Sequence, residues 1–249
     1  MNVTGPRPAR PLLAAAVRPW AGELLAGCAS LVAVLGVLFA GQTTADRFDR
    51  AVDAPFVTWF AARHGLALWL AYPGTMVPAI VLSVVIAVAC LITRRFRGAV
   101  LAVAAVPVAV ELCEVLVKPL VHRTYIGQVV YPSGHTAAIF ALAATVTVLL
   151  FAPPRPAVPR WLRILILAVV YLAAVAVVIG VIGVRFHYFT DTVAGAAVGI
   201  GTVCGLALVL DLILAVRRSR RPRRSAAPRS PGTAGRPAGY PGPDRAAQG

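Results

Sequence analysis

Two short stretches of a mostly apolar chain hold the residues that could do chemistry. One, "VKPLVHRTYIGQVVYPSGHT" at 117–136, carries Lys118, His122, Arg123 and His135, and Lys118 is the only lysine in the sequence. The other, "GVRFHYFTDTVAG" at 183–195, carries Arg185, His187 and Asp191. Ionisable residues at the ends of apolar helices are costly to hold there and usually functional. His187 and Asp191 are four apart, so on a helix they share a face. A carboxylate so placed holds an imidazole in one tautomer and stabilises its cation; the same pair also reads as a polar cap on the following span. In "PSGH" (132–135), Pro132 and Gly134 punctuate a turn, and a helix is expected from His135 or just after. Such a start offers free backbone N–H groups and the positive end of a helix dipole, which together bind anions. The plainer reading is an ordinary N-cap by Ser133. His122, flanked by basic residues, also reads as a loop residue, and His64 is given no role.

Lys118, Arg123 and Arg185, a helix start, two histidines and one carboxylate suit a phosphate-type oxyanion. The cations would neutralise the equatorial oxygens as charge builds in an in-line displacement. One histidine would attack phosphorus and the other protonate the leaving oxygen. Cys28, Cys90, Cys113 and Cys204 stand apart with no metal or redox spacing and read as small core residues. The set of site residues holds no metal cluster, and no metal and no cofactor are expected.

The elements that must position these groups are apolar helices. The chain has 249 residues, 59% of them hydrophobic and 13% charged, with a mean hydropathy of +0.81. Runs near 21–41, 73–92, 99–117, 136–151, 164–184 and 191–214 are each long enough to cross a bilayer as a helix. Hydrocarbon demands internally satisfied backbones, so an all-α, polytopic membrane bundle of six transmembrane helices is expected. Segment 55–72, interrupted by Arg63 and His64, is expected to lie at the interface, with Trp59, Trp69 and Tyr72 at headgroup depth. The domain plan is an N-terminal segment 1–20, a membrane domain 21–216 and a basic, disordered tail 217–249. Two spans separate 118–135 from 185–191, which puts both stretches on one membrane face.

The formal net charge is +15, with nine arginines in the last 33 residues. A basic cluster just after a span reads as a topology determinant and a contact for anionic lipid headgroups, not as a nucleic-acid site. Arginines also precede the first span and fill the 94–97 and 155–163 connections. By the positive-inside rule both termini are cytoplasmic and the site faces outward. Glu111 and Glu114 read as internal charge balance, Glu114 being four residues before Lys118. Asp211 is expected simply to meet the inner interface beside Arg217 and Arg218.

With these residues in place the chain resembles the type 2 phosphatidic-acid phosphatase superfamily, integral-membrane lipid phosphatases related to vanadium haloperoxidases. The signature's three parts correspond to "KPLVHRTY", "YPSGHT" and "GVRFHYFTD", and the resemblance covers roughly residues 20–215. It implies that His187 is the nucleophile forming a phosphohistidine, that Asp191 orients it, and that His135 is the general acid. Lys118 would bind phosphate, with Ser133 and the Gly134 amide completing a pocket that needs no metal. Two departures stand out. The family's Arg-Pro falls where Tyr125 and Ile126 stand, leaving Arg123 as substitute, and its third-motif arginine falls at Val181, with Arg185 four residues later.

The resemblance implies hydrolysis of a lipid phosphate monoester or pyrophosphate: a polyprenyl phosphate or pyrophosphate, a prenyl-linked sugar phosphate, or a phosphatidic-acid type. Phosphotransfer to a lipid or sugar hydroxyl is one alternative, and a non-catalytic lipid-phosphate binder or transporter is another. The Arg/Ala/Val bias points to a GC-rich bacterium and its plasma membrane. The sequence leaves the oligomeric state open.

Overall fold

The computed structural model describes residues 11–153 and 158–219. The expected N-terminal segment 1–20 therefore lies partly, and the expected tail 217–249 almost wholly, outside the described residues.

Helix α1 spans Arg18–Phe39, α2 Arg47–Phe60, α3 His64–Ala71, α4 Met76–Ile92 and α5 Phe96–Glu111. A π-helical turn, Leu112–Val117, joins α5 to the short α6 (Lys118–Val121). Then come strands β1 (Thr124–Tyr125) and β2 (Gln128–Val129), helix α7 (Gly134–Phe151), α8 (Arg160–Gly183) and α9 (Phe189–Ser219). The strands pair as an antiparallel hairpin around Ile126 and Gly127. Both turn residues have positive φ (47° and 75°), as tight two-residue hairpin turns require.

Among the described residues, five helices are long and apolar enough to cross a membrane: Ala15–Phe39, Phe96–Val121, Gly134–Phe151, Arg160–Gly183 and Phe189–Arg217. The sixth expected span differs. Alone, α4 has 17 residues, and it reaches span length only together with α3, across a 42° bend. Segment 55–72 likewise is not one helix. Arg63 leaves helical geometry, with φ −131°, and its guanidinium turns back to donate to the Trp59 carbonyl at 3.0 Å. Helix α2 ends at Phe60, and α3 restarts at His64.

Trp20, Val37, Ile92 and Leu172 are exposed, as expected where the surrounding solvent is hydrocarbon. The interior is rich in small residues, with Ala105, Ala109, Ala137, Ala141 and Ala174 all buried. Without a hydrophobic force between helices in lipid, close backbone approach supplies the packing. Gly195 and Gly199 of α9 press on the carbonyls of Ser133 and Ala137, leaving no room for a Cβ. Gly180 of α8 likewise meets the backbone of α3, where a Cβ would lie 2.5 Å from Ala71 N.

At the bundle end opposite the hairpin, Asp211 departs from expectation. It is buried and accepts from the backbone N–H groups of Leu12 (2.8 Å) and Leu13 (3.0 Å). Arg18 and Arg97 pair with it at 3.4 and 3.3 Å. A carboxylate at this depth needs such partners, so Asp211 fastens the N-terminal segment onto α9 instead of merely meeting an interface.

Candidate active site

The two motif stretches meet at the end of the bundle where α1, α6 and α8 finish and α7 and α9 begin. The Ser133 N–H donates to the Asp191 carbonyl at 3.0 Å, which ties one motif directly to the other.

Ser133 is the N-cap of α7. Its Oγ accepts from Thr136 N at 3.3 Å and from the Thr136 hydroxyl at 3.1 Å, while its carbonyl accepts from Ala137 N at 3.0 Å. The next two N–H groups, those of Gly134 and His135, have no acceptor within a helix that starts there. They stand at the positive end of its dipole, suited to an anion. Beside them lies Lys118, whose Nζ donates to both carboxylate oxygens of Glu114, at 2.7 and 2.8 Å.

His187 lies in the loop before α9, not on the helix with Asp191. It is buried, and its Nδ1 is 2.9 Å from the Val130 carbonyl. A carbonyl only accepts, so Nδ1 carries the proton and Nε2 keeps its lone pair. Burial, then the neighbouring His135 and Lys118, push the His187 pKa down to about 3. It is thus a neutral base at physiological pH. The His135 ring stands 5.8 Å away, centroid to centroid.

Asp191 does not take the expected place against His187. Its Oδ2 accepts from Tyr188 N at 2.9 Å, closing the first turn of α9. Its Oδ1 accepts from Arg123 Nη1 at 2.7 Å. The carboxylate therefore shapes the loop that carries His187, while the backbone of Val130 sets the ring's tautomer.

Arg123 is paired with carboxylates and is not open to an outside anion. It is fully buried, and Nη1 also donates to the Thr190 hydroxyl at 2.7 Å, while Nη2 pairs with Asp49 of α2. Its guanidinium is sandwiched between the rings of Phe39 (4.1 Å) and Tyr188 (4.5 Å). Burial alone would lower its pKa, but Asp191 and Asp49 reverse that and raise it. The planar fork matches two carboxylates at once, so Arg123 binds the frame together where the sequence suggested a clamp.

Asp49 and Asp53, not singled out from sequence, complete that frame. Asp49 accepts from Thr190 N at 3.0 Å and from the Thr190 hydroxyl at 2.8 Å, and Asp53 accepts from Phe189 N at 3.2 Å. Two side chains of α2 thus cap the start of α9 in trans, where negative charge is favoured. Their four-residue spacing on one helix face was the available signal. Burial first, then the charge of Asp49, pushes the Asp53 pKa up to about 7.

Arg185 is exposed, with φ 63°. It borders a cavity of about 460 Å³ together with Arg50, Asp53, Tyr125, His187 and Tyr188. It thus lines the same cavity as His187. His122, which ends α6 with φ 52°, and His64 are both exposed.

A family model described as the PAP2 superfamily matches residues 28–213. The chain belongs to the PAP2 superfamily. That makes it a phosphatase-type membrane protein acting on phosphate esters. No curated protein and no solved structure matches the chain.

In this PAP2 member an apolar groove of about 680 Å³ runs between α1, α5–α6 and α9. It extends from Leu25 and Leu206 to Ala40 and Leu120, so it ends beside the helix turn that holds Lys118. Among the described residues no group of three His, Cys, Asp or Glu side chains could hold a metal ion.

Proposed function

We propose that this protein hydrolyses the phosphate of a membrane lipid through a phosphohistidine on His187. One observation carries the reading: His187 Nδ1 is committed to the Val130 carbonyl, so a neutral Nε2 is left as nucleophile beside a second imidazole. Nε2 forms a bond to phosphorus as the phosphorus–oxygen bond to the lipid breaks, and His135 gives its proton to the departing oxygen. Water then attacks phosphorus, His135 takes its proton, the P–N bond breaks, and inorganic phosphate leaves. Lys118 and the N–H groups of Gly134 and His135 hold the phosphoryl oxygens, with Ser133 fixing the helix start that presents them. These groups neutralise the phosphate without a metal. Asp191 and Arg123 hold the scaffold, and Arg185 serves the rim of the cavity.

The groove beside α6 supports a lipid substrate, because an apolar chain there would deliver its headgroup to Lys118. Polyprenyl phosphates or pyrophosphates, prenyl-linked sugar phosphates and phosphatidic acid all fit that description. The arginine-rich connections support cytoplasmic termini and an outward-facing site in a bacterial plasma membrane.

The test is release of inorganic phosphate by detergent-purified protein, with EDTA present, from polyprenyl phosphate, polyprenyl pyrophosphate and phosphatidic acid. Release that survives EDTA and is lost in His187→Ala supports the reading and ranks the substrates. No release above that variant from any lipid overturns it. A new phosphoester appearing when an acceptor alcohol is added would redirect it to phosphotransfer.

A further inference from the structure

Lys118, the lysine of the phosphate pocket, is already occupied. Both oxygens of Glu114 accept from its ammonium, at 2.7 and 2.8 Å. The same carboxylate also leans over the start of α7: a Cβ placed on Gly134 would lie 3.0 Å from Glu114 Oε1. Glu114 therefore touches the two features proposed to hold the phosphoryl oxygens, a cation and a helix N-terminus. Its backbone belongs to the π-helical turn Leu112–Val117, a local insertion that often marks functional positions. The pair is unequally covered, with side-chain exposures of 17% for Lys118 and 45% for Glu114. The carboxylate is the partner with room to move.

We infer that Glu114 is an internal anion that competes with phosphate for Lys118 and the start of α7 and so sets oxyanion affinity. The inference rests on the phosphate-site reading above. A phosphate bound to Lys118 and to the Gly134 and His135 N–H groups needs the space and the positive potential that Glu114 uses. Two anions held a few ångströms apart at one cation repel, so the carboxylate swings out as phosphate enters. The opposite role, an anchor that aims Lys118 at phosphate, predicts the opposite sign when Glu114 is changed.

The experiment is equilibrium binding of inorganic phosphate and of orthovanadate to the full chain in detergent, at fixed ionic strength, by titration calorimetry. Wild type, Glu114→Gln, Glu114→Ala, Lys118→Met and the Glu114→Gln/Lys118→Met double variant are compared, each checked for a wild-type unfolding transition. Both Glu114 single variants are expected to bind at least about tenfold more tightly, because a charge-assisted pair no longer has to be broken. In the double variant that gain disappears, since it acts through Lys118. Unchanged or weaker binding in Glu114→Gln, with binding intact in wild type, overturns the competition and leaves the phosphate site standing. No oxyanion binding in wild type or in either Glu114 variant overturns the competition and the phosphate site together.

Discussion

Arg123 and Asp191 form an ion pair of 2.7 Å in which neither side chain touches solvent. The pair joins the loop after α6 to the first turn of α9, and Asp49 of α2 closes it from the other side. A buried guanidinium between two carboxylates is held by geometry as much as by charge.

Removing one member of that network leaves uncompensated buried charge, so Arg123→Met is expected to destabilise the protein by about 3–5 kcal/mol. Arg123→Lys should recover little, since an ammonium cannot span both carboxylates as the planar fork does. Unfolding midpoints in detergent, read alongside KM, test this. A raised KM at wild-type stability would return Arg123 to the phosphate pocket.

His135 as general acid makes its own signature. His135→Asn is expected to lose about 10²–10⁴-fold in kcat/KM on an alkyl phosphate, whose leaving group needs a proton. A 4-nitrophenyl ester, whose leaving group departs unprotonated, should lose far less. Equal losses on both esters would remove His135 from proton transfer.

The imidazole of His187, with its pKa pushed down to about 3, should stay neutral through the physiological range. An unfolded histidine titrates near 6.5, so between those values the unfolded chain binds more protons than the folded one. Stability contributed by this group therefore rises with pH across that window and fades toward pH 3. Imidazole ¹⁵N shifts recorded from pH 5 to 8 should show one unchanging Nδ1–H tautomer for His187. A titration within that interval would contradict the buried geometry.

Asp53 gives the opposite slope. Its carboxyl is raised from 3.8 to about 7, so between these values the folded state binds the extra proton and stability declines as pH rises. Asp53→Asn keeps an oxygen to accept from Phe189 N and removes the charge. The variant should match or exceed wild type in unfolding midpoint at pH 8, and lack the wild-type decline between pH 5 and 8. A parallel decline in both proteins would assign the slope to another group.

Much of this was open to reading in the sequence, for reasons tied to particular residues. Apolar runs of span length announce helices because the backbone in hydrocarbon has few other options. The meeting of the PSGH turn with Asp191 follows from the two apolar runs between them, and the Ser133–Asp191 bond realises it. The function of Arg123 was not legible. An arginine looks the same whether it grips a ligand or a frame, until its partners are placed, and Asp49 lies 74 residues away in sequence. The tautomer partner of His187 was also hidden, because a backbone carbonyl such as that of Val130 has no residue-type signature. The bend between α3 and α4 escaped because the break is only a short turn, Tyr72–Gly74 followed by extended Thr75, inside an apolar stretch.

The capping of α9 by α2 also orders events while the chain is being made. Asp49 emerges from the ribosome 141 residues before Thr190, the residue whose N–H it must receive. At ordinary elongation speeds that interval is roughly 7–30 s. Until α9 arrives, Arg123 lacks Asp191 and the loop bearing His187 lacks the contacts that α2 and α9 give it. A nascent chain that stalls before that point carries no assembled candidate site into the bilayer, so a complete site reports that synthesis has run as far as α9.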